Sequence, residues 1–162
     1  MLVWGLFIMN HSNLSKKFYK QQLVYLDENI QDLTSLYFSS TPIQERIKHF
    51  FNLYVLEVED LLTQNRENGF ISLFPKVYIG TKVTVRYDEE DETEDYVICF
   101  PEQSNPEQGF ISFLSPVGRQ LLLRNIGEQI PLRIPTGDLL VTITNIAYIG
   151  DLFETEERYK EA

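Results

Sequence analysis

The sequence predicts an α+β protein: an N-terminal antiparallel helical hairpin followed by a small antiparallel β-sheet domain with one short helix. Glycine is absent from residues 11–62 and Pro42 is the only proline there, whereas glycine, proline, valine and isoleucine recur in short runs from Gly69 onward. The first half carries apolar residues at helical spacing, and the second half carries them in the short runs of strands. Both changes divide the chain into a helical part and a β-rich part.

Composition excludes several classes of function. The 162 residues include 11 Phe and 9 Tyr, which can bury enough area for a stable core. Lys and Arg number 14 against 24 Asp and Glu, and the formal charge of -10 repels phosphate backbones, so we expect no strong direct binding to nucleic acid. A single cysteine excludes an internal disulfide framework and a cysteine-based zinc site. We therefore expect a cytoplasmic protein with no membrane span, metal or other cofactor.

The apolar start of the chain, from Met1 to Met9, allows two interpretations. It has no preceding Lys or Arg and no small-residue cleavage site after it, so it lacks the features of a signal peptide. The favoured interpretation is that synthesis begins at Met9 and that residues 1–8 are not part of the protein. The alternative is an apolar tail that packs on the domain.

Two amphipathic helices are predicted, over residues of about 11–38 and 42–63, in an N-terminal part that spans 1–66. Their apolar residues lie mostly three, four or seven positions apart and so share one face of each helix. These residues are Leu14, Phe18, Leu26, Ile30, Leu33 and Tyr37, and then Ile43, Ile47, Phe50, Tyr54, Val58 and Leu61. We interpret the two stripes as the seam of a coiled-coil-like hairpin, with arms of roughly 35–40 Å at 1.5 Å per residue.

The predicted hairpin tip consists of residues that favour the start of a helix. Thr41 can cap the second helix, Pro42 suits its first position, and Gln44 stands where a capping box has Glu or Gln. Together with Ser39 and Ser40, these residues form a turn so short that the two helices are expected to be antiparallel.

A linker over residues 67–76 is expected to lead into a C-terminal domain over 77–150. Residues 83–87 alternate apolar and polar side chains, and 96–100 are continuously apolar, which predicts two strands. The acidic run between them, 88–95, predicts a solvated hairpin loop because it cannot pack in a core. It also lacks the glycine of a calcium-binding loop.

A short strand over residues 110–114 is expected to precede the one helix of this domain. Ser115 is its predicted cap and Pro116 its first residue. The helix is expected to run to about Leu123, and Gly127 to end it after a brief extension. Its inward residues are expected to be Val117, Leu121 and Leu122.

Two further strands are predicted over residues 129–134 and 139–148, joined by a turn over 135–138. The apolar phase of the last strand switches before Ile146, which indicates a β-bulge near Asn145. The charged tail, 151–162, has no predicted strand.

The C-terminal part resembles the C-terminal domain of the bacterial GreA/GreB transcript-cleavage factors. Order and spacing agree over residues 77–149, and the stretch Ser-Pro-x-Gly-Arg-x-Leu-Leu at 115–122 is the most specific piece. The other matching residues are Ile79, Gly80, Thr81, Lys82, Val83, Tyr96, Val97, Ile98, Ile111, Ser112, Gly127, Glu128, Pro135, Thr136 and Gly137.

This resemblance implies an FKBP-like domain that docks on RNA polymerase at the rim of the secondary channel, while the hairpin enters the channel. Because the polymerase hosts the chemistry, it implies a non-enzymatic transcription elongation factor. The residues expected to face the polymerase are Ser115, Pro116, Gly118, Arg119 and Gln120. Arg119 and Gln120 are the expected exposed pair, while a cap and a close-packed glycine are the favoured interpretations of Ser115 and Gly118.

The hairpin tip departs from the family. In cleavage factors the tip carries acidic residues that help to hold a catalytic magnesium, but residues 38–43 contain no Asp or Glu, and Glu45 and Asp32 are the nearest. Magnesium requires carboxylate oxygens at ~2.0–2.1 Å. We therefore expect a Rnk-like factor that occupies the docking site without stimulating cleavage. Leu123 also replaces a glycine that is common in the family.

Three other interpretations stay open. The chain could be a genuine cleavage-stimulating factor that uses Glu45 or Asp32. It could also be a helical-hairpin interaction module unrelated to transcription, including a homodimer, or a prolyl isomerase on fold analogy alone. Whether the effect on transcription is activating or inhibitory is not indicated by the sequence.

Overall fold

A computed structural model describes residues 2–38, 41–64 and 75–150, with side chains in the first helix described from Lys16 to Leu36. The chain divides into two compact units, Met1–Ile71 and Ser72–Ala162. The first is helical and the second is a sheet with one short helix, so the fold belongs to the expected α+β class. The predicted linker over 67–76 and the tail over 151–162 lie mostly or wholly outside the described residues.

The N-terminal unit consists of two helices, α1 (Leu2–Tyr37) and α2 (Thr41–Gln64). The predicted start of α1 near residue 11 was wrong, because the apolar segment before it contains no proline and continues the helix. At 1.5 Å per residue, α1 is about 54 Å long and α2 about 36 Å.

Apolar residues of both helices form the hairpin seam. Predicted seam residues that are buried are Phe18, Leu26, Leu33, Ile47, Tyr54, Val58 and Leu61. Ile43 is 40% exposed, while Ile30 and Phe50 are half-buried. The side chains of Leu14 and Tyr37 lie outside the described residues. The pattern missed Tyr19, Gln22, Thr34 and Phe51, which are also buried.

A buried polar pair joins the two helices. The Tyr54 hydroxyl donates a hydrogen bond to Gln22 Oε1 at 2.5 Å. Gln22 is only 3% exposed, and a buried amide needs such a partner to offset its desolvation. Because the two residues are 32 apart in sequence, this bond ties the two arms in one register.

The C-terminal unit is built on a five-stranded sheet in the order β3-β2-β1-β5-β4. The strands are β1 (Thr81–Tyr87), β2 (Glu92–Cys99), β3 (Phe110–Ser112), β4 (Gln129–Ile134) and β5 (Gly137–Tyr148). Three pairings are antiparallel, as expected, but β3 pairs parallel with β2. The reason is that the chain between them crosses over through two 3-10 turns, at Pro101–Gln103 and Pro106–Gln108, and re-enters the sheet in the same direction.

The acidic run lies only partly in a loop, which corrects the prediction for residues 88–95. Residues 88–91 form the turn, and Glu92–Asp95 belong to β2, where Tyr87 pairs with Glu92 and Val85 with Glu94. Main-chain pairing forms this half of the strand while its carboxylates stay exposed.

Hydroxyl groups also hold these carboxylates against the sheet. Thr84 Oγ1 donates to Asp95 Oδ1 at 2.6 Å, and the hydroxyls of Tyr87 and Tyr96 both donate to Glu94 Oε2. Burial is the main cause that raises the pKa of Tyr87 and of Tyr96, so both phenols stay protonated and serve as donors.

The irregularity predicted in the last strand is present. Thr84 pairs with Asn145 and Val85 with Ile143, so Thr144 is the extra residue of a bulge. The turn before β5 is shorter than the predicted 135–138, because Ile134 pairs directly with Gly137 and leaves two residues between the strands.

The core of the C-terminal unit consists of fully or nearly fully buried apolar side chains. Its members include Val77, Ile79, Val83, Val85, Ile98, Phe113, Leu121, Leu132, Val141, Ile143 and Ile146. Cys99 is part of it and behaves as the small apolar residue expected, since burial raises the pKa of its thiol to about 12. In the described part of the chain, no helix is both long and apolar enough to cross a membrane.

Candidate partner-binding surface

Ser115 holds the turn that precedes helix α3 (Pro116–Leu121). Its side-chain oxygen accepts a hydrogen bond from Gly118 N at 3.1 Å and donates one to Ser112 O at 2.7 Å. This is the predicted cap, and Pro116 stands at the first helical position. The Ser115 hydroxyl therefore uses both its donor and its acceptor capacity inside the protein. Pro116 is exposed.

Gly118 allows α3 to lie directly against β3. A Cβ atom at this position would be 2.1 Å from Ser112 O and 3.0 Å from Ser115 Oγ. No side chain fits at these distances, and the glycine is buried. The close-packing interpretation of Gly118 therefore agrees with the structure, and the residue presents no side chain to a partner.

The end of α3 differs from the prediction. The helix ends at Leu121 and Leu122 is its C-cap, because Leu123 takes a left-handed conformation with φ of 67° and donates its N–H to Val77 O at 2.8 Å. Gly127, the predicted end, lies in the later turn before β4 and donates its N–H to Ile143 O at 2.7 Å. Leu121 and Leu122 are buried as expected, and Val117 is half-buried.

Gln120 is bound to the sheet rather than directed at solvent. Its Oε1 accepts from Arg133 N at 2.7 Å, and its Nε2 donates to Arg133 O at 2.8 Å and to Pro116 O at 3.0 Å. The side chain thus bridges α3 and β4 with a pair of main-chain bonds. Sequence patterns gave no signal for this contact, because the partners are main-chain atoms 13 residues away.

Arg119 also differs from the expected exposed pair. Like Gln120, it is half-buried, and this burial lowers the pKa of its guanidinium. Arg119 lies in the last turn of α3, where a cation interacts favourably with the helix dipole.

The loop after α3 is fixed by Glu128. Its Oε2 accepts from Arg124 Nη1 at 2.8 Å, and its Oε1 accepts from Asn125 N at 3.0 Å. The main-chain bond from Asn125 is the main cause that lowers the pKa of Glu128. Arg124 Nε in turn donates to Gln120 O at 3.0 Å, so the loop is bound to the helix.

Asp88 connects three strands, and sequence reasoning missed it. Its carboxylate accepts from Gln129 Nε2 at 2.8 Å, from Thr142 Oγ1 at 3.0 Å and from Arg86 Nη2 at 3.2 Å. The bond from Gln129 is the first of the causes that lower the pKa of Asp88. The residue ties the turn after β1 to β4 and β5.

The hairpin tip presents no cluster of carboxylates in its described part. Ser39 and Ser40 lie outside the described residues, and Thr41 and Pro42 are exposed. Glu45 is exposed too, 3.9 Å from Lys48 Nζ. Across the described residues, no group of three or more His, Cys, Asp and Glu side chains is placed to hold a metal ion.

Comparison with known proteins identifies the C-terminal unit. Residues 74–148 match the family model for "Transcription elongation factor, GreA/GreB, C-term", which confirms the resemblance inferred from residues 77–149. GreA of Desulfovibrio desulfuricans is 36% identical over 75 residues, 46% of either chain. GreA of Roseiflexus castenholzii is 39% identical over 96 residues, 57% of this chain and 59% of the relative. The chain thus spans about half the length of these two relatives.

The chain also has similarity to solved structures. A GreA/GreB factor from Nitrosomonas europaea is 28% identical, with a TM-score of 0.40 over 43% of this chain and 59% of that one. GreA factor homolog 1 (Gfh1) of Thermus thermophilus is 19% identical, with a TM-score of 0.41 over 85% of this chain and 93% of that one.

Proposed function

Because this chain belongs to the GreA/GreB family through residues 74–148, we propose that it is a non-enzymatic transcription elongation factor that binds bacterial RNA polymerase. The C-terminal unit docks at the rim of the secondary channel, and the helical hairpin modulates elongation without stimulating transcript cleavage. The observation that carries the proposal is the Ser-Pro-x-Gly-Arg motif, at residues 115–119, in the local structure that its residue types require.

The structure of the motif supports docking through its exposed face. Ser115 and Gly118 are used internally, as cap and close-packed glycine, so they shape the surface rather than contact a partner. Pro116 is exposed and Arg119 half-exposed on the same short helix. A rigid helix start with an exposed proline presents a fixed apolar contact at little entropic cost.

The chemistry of the hairpin tip supports the absence of cleavage. Residues 38–43 contain no carboxylate, and Glu45 is the acidic residue next to them in the sequence. One carboxylate beside a lysine is a weak contribution to a magnesium site, which needs several oxygen ligands in near-octahedral geometry. The polymerase would therefore gain no metal ligand set from this tip.

Competition for the polymerase tests the proposal. Core RNA polymerase is titrated with the labelled protein, and a genuine GreA is added as competitor. We expect binding at micromolar concentration or better and displacement by GreA. No binding at micromolar protein, or binding that GreA leaves unchanged, would contradict docking at the shared site.

A matched pair of proline variants locates the docking face. Pro116 and Pro106 are both exposed and both start a short helical turn in the same unit. P116R is expected to weaken polymerase binding by roughly tenfold, because a charge is placed in an apolar contact, whereas P106R is expected to bind like the wild type. Equal affinities for the two variants would place the contact elsewhere.

A further inference from the structure

Strand β4 is an edge of the sheet, so one row of its main-chain groups faces away from β5. Gln120 binds both the N–H and the carbonyl of Arg133, which shows that Arg133 is one of the outward residues. Outward positions recur every second residue, so Gln129 and Pro131 share this edge. Pro131 has no N–H, but because its main-chain groups face away from β5, the pairing of β4 with β5 loses no hydrogen bond.

The bridge from Gln120 joins this edge to α3. The Gln120 side-chain amide bonds the N–H and the carbonyl of Arg133 as a residue of a neighbouring strand would. Its Nε2 also donates to Pro116 O in the first turn of the helix. The exposed residues Pro116, Pro131 and Arg133 are therefore held on one fixed surface. The β4 edge is blocked at two of its three outward positions, which disfavours pairing with another strand.

Charge is distributed unevenly over this unit. The sequence from Asp88 to Asp95 holds seven Asp and Glu residues, whereas Arg119, Arg124 and Arg133 all lie on α3, the loop after it and β4. Arg124 is paired with Glu128. Over the ranges 2–38, 41–64 and 75–150, the exposed Arg133 guanidinium takes part in no ion pair.

We propose that the docking surface extends from α3 across the edge of β4, that Arg133 binds a carboxylate-bearing protein segment there, and that Gln120 positions this surface without touching the partner. The identity of that partner as RNA polymerase rests on the function proposed above. Arginine suits this role because its planar guanidinium binds a carboxylate through two parallel hydrogen bonds.

A protein carboxylate fits this surface better than a nucleic-acid phosphate. The whole chain carries a charge of -10, so a polyanion approaching Arg133 is repelled by the rest of the protein. An acidic side chain in a folded partner brings a single charge, which a single arginine beside exposed prolines can bind.

Charge reversal at Arg133 is the central test. R133E is expected to weaken binding to core polymerase by roughly tenfold or more, because the partner's carboxylate then meets a like charge. Circular dichroism checks that the variant stays folded, since the substituted position lies opposite Asp138 on β5. K82E is the matched control, since it makes the same charge change on β1 of the same unit and is expected to bind like the wild type. Equal affinity of R133E and K82E would overturn the proposal, as would binding of single-stranded RNA or DNA to the free protein that R133E abolishes.

The positioning role of Gln120 has its own readout. In Q120M, hydrogen exchange of the Arg133 amide is expected to accelerate at least tenfold while polymerase affinity falls. Q108M, at an exposed glutamine of the same unit, is expected to change neither. Unchanged exchange at Arg133, or faster exchange with unchanged affinity, would contradict the role.

The surface can also be tested apart from the polymerase. If the wild type binds no polymerase, the proposed function fails, and a short end-capped peptide with a single glutamate, titrated into ¹⁵N-labelled protein, still tests the surface. Shifts confined to residues 116–124 and 131–134 that disappear in R133E support the acidic-partner proposal. An absence of such shifts would overturn it.

Discussion

Gly118 is the residue of the Ser-Pro-x-Gly-Arg motif at which sterics are most restrictive. Its Cβ would lie 2.1 Å from the Ser112 carbonyl oxygen, and neither main-chain segment can retreat without breaking the cap made by Ser115. G118A is therefore expected to lower the free energy of unfolding by about 3 kcal/mol, measured by chemical denaturation.

G127A is the control for this steric effect. Gly127 has positive φ but open space around its Cβ position, so it isolates the conformational cost of adding a methyl group, which is about 1 kcal/mol. A smaller loss for G118A than for G127A would contradict the close-packing account.

Leu123 stands in a left-handed conformation that a glycine adopts without strain. In an ordinary helix alanine is more stable than glycine, but here we expect the reverse order. L123G is predicted to be about 1 kcal/mol more stable than L123A, because both lose the leucine side chain and only glycine relieves the backbone. Thermal and denaturant unfolding of the two variants give this difference directly, and a more stable L123A would show that the left-handed conformation costs nothing.

At the scale of elements, the predictable strands and helices were those with a clear hydrophobic period or with capping, proline or glycine residues at their ends. β4 was predicted at its observed bounds, and the bulge was placed within one residue because the apolar phase of β5 switches there. Glu92–Asp95 were assigned to a loop because their composition is polar on both faces, and only pairing with β1 makes them a strand.

Contacts that are remote in sequence or made by main-chain atoms could not be predicted. The parallel pairing of β3 depends on the path of the crossover, which no local pattern encodes. For the same reason the sequence named Gln120 as a surface residue, whereas its partner is the main chain of Arg133. The cap at Ser115, a local contact, was predicted and is present.

Asp88 links the elements of the sheet through its ionised carboxylate. Folding lowers the pKa of Asp88 from its usual value of 3.8. The ionised carboxylate therefore stabilises the fold above pH 3.8, and this contribution is lost as the pH falls from 3.8 through the lower pKa of the folded state. D88N is therefore expected to be less stable than the wild type at pH 7, with a difference that shrinks below about pH 4.

Urea unfolding across pH 3–7 measures this linkage. The matched control is E89Q, which removes the charge of an exposed neighbour in the same turn and is expected to have nearly the wild-type stability at pH 7. A difference between D88N and the wild type that stays constant down to pH 3 would contradict the role of the carboxylate.

At the scale of the whole molecule, the two units carry different halves of the proposed function. The C-terminal unit matches the family model and presents the Ser-Pro-x-Gly-Arg motif in the local structure that its residue types require. The N-terminal unit is a hairpin whose arms are tied by Gln22 and Tyr54, and residues 38–43 between its arms contain no carboxylate. We therefore expect the protein to compete with cleavage factors for the polymerase and not to replace them.

Transcript cleavage in stalled elongation complexes tests this most directly. Complexes held at one template position are incubated with magnesium and the protein alone, with GreA alone, or with GreA and rising amounts of the protein. We expect no cleavage above background with the protein alone and a progressive loss of the cleavage that GreA stimulates. Cleavage by the protein alone that E45A abolishes, or GreA activity that saturating protein leaves intact, would contradict it.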